Sequence, residues 1–246
     1  MKILIAAPLR QEADIFEAYQ DSLDRLILPE GVTADRFYVV NDCEEIIPHI
    51  RDAKYIRHDT GEEYRKTEDV HLWTARNMER MSDLRNICCR MVLAGGYDAW
   101  LSADTDLVLN PHTLEWLIAA DKDIVSEIFW TRNADGGLWC NAWMSDQYNL
   151  EGHGRDWMEP GLYQVGMTGA LMLVKRRVFE VGVGYARIPN ILDALRGEDR
   201  HFCIRAACAG FDIWMDTHAP AVHLYTRKVF EEWQKRQNDR TAQKAL

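Results

Sequence analysis

Apolar residues arrive along this chain in short blocks whose spacing alternates between two rhythms. Ile3 to Ala7 is one uninterrupted block ending at Pro8-Leu9-Arg10. A chain that opens this way predicts a buried strand near the middle of a parallel sheet. From Gln11 to Leu26 the period becomes helical, with Ile15, Phe16, Tyr19, Leu23 and Leu26 on one stripe, and Pro29-Glu30-Gly31 breaks it. Arg36 to Val40 reads as a second strand ending at Asn41-Asp42. A short helix over Glu44 to Arg51 and a third strand over Lys54 to His58 follow. A long polar helix is expected from about Val70 to Ala94, its stripe formed by Leu84, Ile87, Cys88, Met91 and Val92, with Gly95-Gly96 ending it. Then come a strand from Tyr97 to Ala103, a helix from Pro111 to Ala120 and a strand from Asp123 to Phe129. Strand and helix alternate throughout the first 130 residues, the pattern of a doubly wound α/β layer.

The second half reads differently. Trp130 to Pro160 is rich in Trp, Gly, Asn and Asp and has little periodicity, which in a compact domain marks a functional or mobile connection. Regular pattern returns with strands at Leu162 to Val165 and Ala170 to Val174, a helix from Arg176, and a helix from Gly197-Glu198-Asp199 to Ala209. Strands are expected at Phe211 to Met215 and at Ala221 to Leu224. The end, from Thr226, is a charged helix with Phe230 and Trp233 as apolar anchors and a narrow apolar face, so packing on the body is its expected role.

The chain has 246 residues, 47% of them hydrophobic, enough for one α/β domain with a real core. A formal net charge of −10 argues against nucleic acid as the main partner, short of a local basic patch. The six cysteines form no CxxC pair and no disulfide-like spacing, which points to a reducing compartment. The first apolar run is too short for a signal peptide and none is long enough to span a membrane, so a cytoplasmic location is expected.

Candidate chemistry concentrates in four places. Asp104 and Asp106 flank Thr105 just past an apolar strand, so their side chains share one side and offer hard oxygen ligands to Mg²⁺ or Mn²⁺. Solvated aspartates that start a turn would look the same. Glu198-Asp199 opens a helix, where acidic residues cap free N–H groups, yet a carboxylate there can also accept a proton from a hydroxyl nucleophile. His218 and His223 both follow the strand after Phe211; His223 sits within the next apolar strand, and an imidazole added to two carboxylates favours Mn²⁺. Trp130, Trp139, Trp143 and Trp157, with Tyr148, His153 and Tyr163, suit either sugar faces or a second small core. Gly166-Met167-Thr168-Gly169 permits close backbone approach to a ligand.

Taken in order, these pieces resemble the GT-A glycosyltransferases, closest in pattern to the family 2-like enzymes, over nearly all of residues 1–225. Ile3 to Pro8 is similar to their nucleotide-binding first strand, and Val39-Val40-Asn41-Asp42 to their second-strand acidic motif. Leu84-Arg85-Asn86 looks like their Arg-Asn helix start, and Asp104-Thr105-Asp106 like their DxD motif. Gly166 to Val174 with the helix after it resembles their Gly-rich strand, Gly197-Glu198-Asp199 their ED helix, and His223 their late metal-binding histidine. Asn41-Asp42-Cys43 lacks the usual second acidic residue, and the Trp-rich insertion is not a general feature of the family.

The resemblance implies a mixed central sheet with helices on both faces. A single catalytic domain would cover 1–225, with a nucleotide-binding half at 1–130, an acceptor half at 131–225 and a helical tail at 226–246. It implies Pro8, Arg10, Asp42, Asn86 and Asp104 around a nucleotide-diphosphate sugar, UDP-sugar being the expected donor, and Asp104, Asp106 and His223 around Mn²⁺ or Mg²⁺. Trp157, Gly169 and Glu198 would face a hydroxyl-bearing acceptor, with Asp199 as the base of an inverting transfer. Two alternatives remain open at this point. One is a phosphatase of the haloacid dehalogenase type, which also uses Asp-x-Asp but normally on its first strand; the other is a nucleotide-sugar-binding protein without catalysis.

Overall fold

In a computed structural model, which describes residues 1–61, 74–132, 137–144, 156–192 and 195–244, the opening apolar block forms strand β1 (Lys2–Leu9). Its alternate residues serve opposite faces, as the two-residue repeat of a strand requires. Leu4 and Ala6 join one core, while Ile3, Ile5, Ala7 and Leu9 join the other. Helix α1 (Ala13–Asp24), strands β2 (Thr33–Val40) and β3 (Lys54–Arg57), helix α2 (Ala75–Ala94) and strand β4 (Ala99–Ser102) follow. Then come β5 (Leu107–Val108), α3 (Thr113–Ala119), β6 (Ile124–Arg132), β7 (Leu138–Cys140) and β8 (Ala142–Trp143). The remainder is β9 (Leu162–Val165), β10 (Met167–Thr168), β11 (Met172–Lys175), α4 (Arg176–Glu180), α5 (Glu198–Cys208), β12 (Ile213–His223) and α6 (Arg227–Lys244).

The main sheet has ten strands in the order β3-β2-β1-β4-β11-β6-β12-β5, with β7 added to β6 and β9 to β12; β8 and β10 form a separate pair. β1 lies inside the sheet, parallel to β2 and β4. β11 enters antiparallel between β4 and β6, so the sheet is mixed. Helices cover both faces: Leu84 of α2, Val178 of α4 and Phe202 of α5 pack on one, Phe16 of α1 and Leu114 of α3 on the other. Of the expected long helix, α2 is the described part; residues 62–73 lie outside the described residues, as do Tyr148 and His153.

Three local expectations change. Glu44–His49 is a 3-10 turn, with Pro48 inside it, and no α-helix. The two late strands are the halves of β12, whose register against β6 shifts between Asp216 and Ala221. Before that shift, Asp216 pairs with Glu127 of β6, and both acids are buried. Trp157 is only 4% exposed and belongs to the core, so its ring packs against protein where the acceptor was expected. The end of the chain packs on the body: Phe230 is buried among Ile15, Val108 and Leu224, and Arg227 bonds both Glu12 and Asp14. Among the described residues no helix is long and apolar enough to cross a membrane.

Candidate functional site

Parallel strands share a carboxyl edge, and ligands of open α/β sheets bind beyond it. Here the ends of β1, β2 and β4 border a cavity of about 630 Å³ lined by Pro8, Arg10, Asp42, Asp104 and Asp106 among others. Helix α2 supplies a wall with Asn77, Arg80, Met81 and Leu84, spaced three and four apart and so on one helical face. Tyr225 and Arg227 close the side nearest α6.

Asp106 meets His223 because β5 pairs antiparallel with β12, setting Leu107 opposite His223. The Leu224 N–H donates to the Asp106 carbonyl at 2.8 Å, which fixes the turn. His223 Nε2 then lies 3.4 Å from Asp106 Oδ2, while its Nδ1 is 2.7 Å from the Thr131 hydroxyl. An imidazole held through one nitrogen presents the other in a set direction, the arrangement metal-binding histidines use. His218 is elsewhere, bonded to Asp216 at 3.0 Å and stacked on Trp116.

Among the described residues no group of three or more His, Cys, Asp and Glu could hold a metal ion by itself. Mg²⁺ in phosphate chemistry needs no such cage: one or two carboxylates suffice, with substrate phosphates and water completing the shell. Asp106 with His223, beside Asp104, fits that pattern, and the imidazole would supply a nitrogen donor of the kind that favours Mn²⁺.

Arg85, which the reading of the sequence left without a role of its own, ties the site together. It is 2% exposed in α2. Its guanidinium donates to Ser102 Oγ at 3.1 Å and to both oxygens of Asp104 at 3.0 and 3.1 Å. Its Nε faces Glu198 Oε1 and Asp199 Oδ1, each at 3.7 Å. Burial works against the guanidinium charge, but the carboxylates of Asp104, Asp199 and Glu198 outweigh it. Three carboxyls around one cation cannot all ionise freely. Burial pushes Asp104 up to about 6 against the pull of Arg85, with Asp106 adding repulsion. Glu198 and Asp199 are raised as well, chiefly by burial.

Neither Glu198 nor Asp199 caps α5; the N-cap is Gly197, without a side-chain bond, and the two acids occupy the first turn facing Arg85. Gly169 rests on Asp199, where a Cβ would stand 2.1 Å from Oδ2. That contact is with protein, a role different from the expected acceptor contact. Glu198, Asp199 and Gly169 are not among the residues lining the cavity; Asp104 and Arg85 bridge the two groups.

Asn86 also points elsewhere. Its Oδ1 accepts from the Tyr185 N–H at 2.9 Å, and it does not line the cavity. Asp42 does line it, in the left-handed region at φ 43. Burial alone would raise Asp42, but the Gly61 N–H, Arg80 and the Thr60 N–H together hold it near 2. Arg10 stands 4.0 Å from the same carboxylate. Of the Trp-rich segment, Trp139 is exposed and Trp143 carries the Arg200 guanidinium over its ring at 5.0 Å.

No family model matches the sequence, and no curated protein matches it. Solved structures do. The mannosyltransferase PcManGT from Pyrobaculum calidifontis, in complex with GDP-Man and Mn²⁺, superposes with a TM-score of 0.55 at 13% identity, over 96% of this chain and 60% of its own. GalNAc-T7 with UDP, GalNAc and Mn²⁺ gives a TM-score of 0.61 at 13% identity, over 92% of this chain and 44% of its own. TarS from S. aureus, in complex with UDP-GlcNAc, gives 0.53 at 10% identity, over 90% and 58%. This chain therefore spans roughly half the length of the structures it matches. At such identities the likeness is one of architecture: the chain has the GT-A fold that these glycosyltransferases share.

Proposed function

We propose that this chain is a metal-dependent glycosyltransferase, moving a sugar from a nucleoside-diphosphate sugar to an acceptor hydroxyl. The observation that carries the reading is the meeting of His223 with Asp106, which lines a cavity together with Asp104, Asp42 and Arg10. The solved structures of the same fold, held with GDP-Man, UDP or UDP-GlcNAc, support a nucleotide sugar as donor, UDP-sugar being the first to test.

Asp106 and His223 would hold a divalent cation, with Asp104 on the cation or on the donor ribose. Bound there, the cation offsets the negative charge that grows on the departing diphosphate. Asp42, its oxygens taken by Gly61, Thr60 and Arg80, serves the donor by setting Arg80 and Arg10 at the wall, where guanidinium groups suit phosphate oxygens. Asp199 is the base. As the acceptor oxygen attacks the anomeric carbon from the face opposite the diphosphate, its proton passes to Asp199 and the carbon–oxygen bond to the diphosphate breaks. A carboxylate raised by burial is a stronger base than a free one, and Arg85 favours its ionised form. The stereochemical outcome is inversion.

Asp106→Ala tests the reading. Calorimetric titration with UDP and with GDP should show Mn²⁺-dependent binding in the natural protein and a loss of that dependence in the variant. Equal nucleotide affinity with and without Mn²⁺ in both proteins would refute it.

A further inference from the structure

Asn141, just before β8, belongs to none of the groups above, yet a web of bonds leads from it to the proposed base. It is 6% exposed. Its Nδ2 donates to the Gly169 carbonyl at 3.2 Å, to Ser126 Oγ at 3.1 Å and to the Glu127 carbonyl at 3.0 Å. Its Oδ1 accepts from the Phe129 N–H at 3.0 Å. Its own carbonyl accepts from the Gly169 N–H at 3.2 Å and from the Thr168 hydroxyl at 2.9 Å. Gly169 thus meets Asn141 twice, its N–H on the main-chain carbonyl and its carbonyl on the side-chain amide, while the Leu171 N–H also donates to that carbonyl at 2.9 Å.

Gly169 lies flush on Asp199, with Oδ2 and Cγ only 2.1 and 2.5 Å from where a Cβ would be. The next residue, Ala170, turns to φ 64, a region that residues with a side chain seldom enter. Its N–H faces the Asp199 carboxylate and favours the ionised form. Such a turn persists only where its surroundings hold it, and the Asn141 side chain, with the Leu171 N–H, holds the residue before it.

We propose that Asn141 is the positioning residue for Asp199, gripping Gly169 by both backbone groups so that Gly169 and Ala170 aim the carboxylate. The inference rests on reading Asp199 as the base. It also ties the base to the Trp-rich segment, because Asn141 leads directly into β8, whose Trp143 pairs with Met167 of β10.

Two measurements decide it. The first, amide hydrogen exchange in Asn141→Ala, needs no turnover. Exchange at Ala170 should rise by at least about tenfold while the amides of β11 stay within about twofold. No change at Ala170, or an equal rise across β11, overturns the proposal. The second is a double-mutant cycle on nucleoside diphosphate release from GDP-mannose or UDP-GlcNAc with Mn²⁺. Asn141→Ala should lower kcat by about 10²-fold, the cost of a misplaced catalytic group, and leave donor KM within about twofold. In an Asp199→Asn background the same change should cost less than about twofold. An equal loss in both backgrounds marks Asn141 as merely structural and overturns the proposal. Gly169→Ala enters the contact from the other side and should reproduce the kcat loss. If Asp199→Asn keeps full turnover, the base assignment fails, and the exchange result still reports whether Asn141 sets the Gly169–Asp199 contact.

Discussion

Glu127→Gln should make this protein more stable, and increasingly so as pH rises. Glu127 is fully buried in β6; Oε1 accepts from the Ala219 N–H at 3.3 Å, and Oε2 has no hydrogen-bond partner. Burial, with the Asp216 charge on the neighbouring strand, pushes its carboxyl from the ordinary 4.5 up to about 9. Across that window the folded chain keeps a proton that the unfolded chain releases, so stability falls as pH rises. The slope is about 1.4 kcal/mol per pH unit, which removes about 3 kcal/mol by pH 7 and about 5 by pH 8. Total stabilities are only about 5–15 kcal/mol, so the loss is large. Gln keeps the acceptor for Ala219 and carries no charge; its poorly paired amide N–H costs about 1 kcal/mol. The variant should therefore gain about 2 kcal/mol near pH 7 and almost nothing near pH 5. Urea unfolding of both proteins at several pH values measures this. A variant whose advantage is the same near pH 5 as near pH 8, or which is weaker throughout, would refute the buried neutral carboxyl.

Asp199→Asn should lower turnover by about 10²–10⁴-fold, as loss of a general base does, with donor affinity near normal by calorimetry; a collapse of donor binding would give Asp199 a different task. Arg85→Met leaves Asp104, Glu198 and Asp199 without their shared cation. It should cost about 3–5 kcal/mol in urea unfolding near pH 7, and less near pH 5, where the raised Asp104 and Glu198 carboxyls take up protons. At the end of the chain, Phe230→Ala should cost about 3 kcal/mol because the ring is buried. Arg227→Ala, which breaks two half-exposed ion pairs, should cost about 1 kcal/mol or less. The same unfolding assay ranks the two.

The early strands were legible because β1 and β2 carry uninterrupted apolar runs, and α1 because Ile15, Phe16, Tyr19 and Leu23 keep helical spacing. Strand order was not, since the insertion of β11 between β4 and β6 depends on pairings far apart in the chain. Asp104 and Asp106 could be placed from an apolar run that stops. The link of Asp106 to His223 depends on β5, two residues long and too short to leave a periodic signal. Arg85 had a faint signal: it sits between Leu84 and Cys88, on the buried side of α2, where a charge needs a partner. Trp157 shows a limit of composition, because a ring that covers a sugar and a ring that fills a core have the same chemistry. Glu127 hides in the largely apolar run Ile124 to Phe129, and only its complete burial marks it as unusual.

The cavity wall joins Pro8 to Glu12 with Leu224 to Arg227, segments separated by over two hundred positions. Whatever binds there fastens the first turn after β1 to the start of α6. Release of α6 would remove Arg227 from one side of the pocket while leaving most of the sheet standing, so occupancy should suppress that partial opening along with global melting. Proteolytic clipping within α6 should then slow when UDP or GDP is added with Mn²⁺, if the proposed donor site is right.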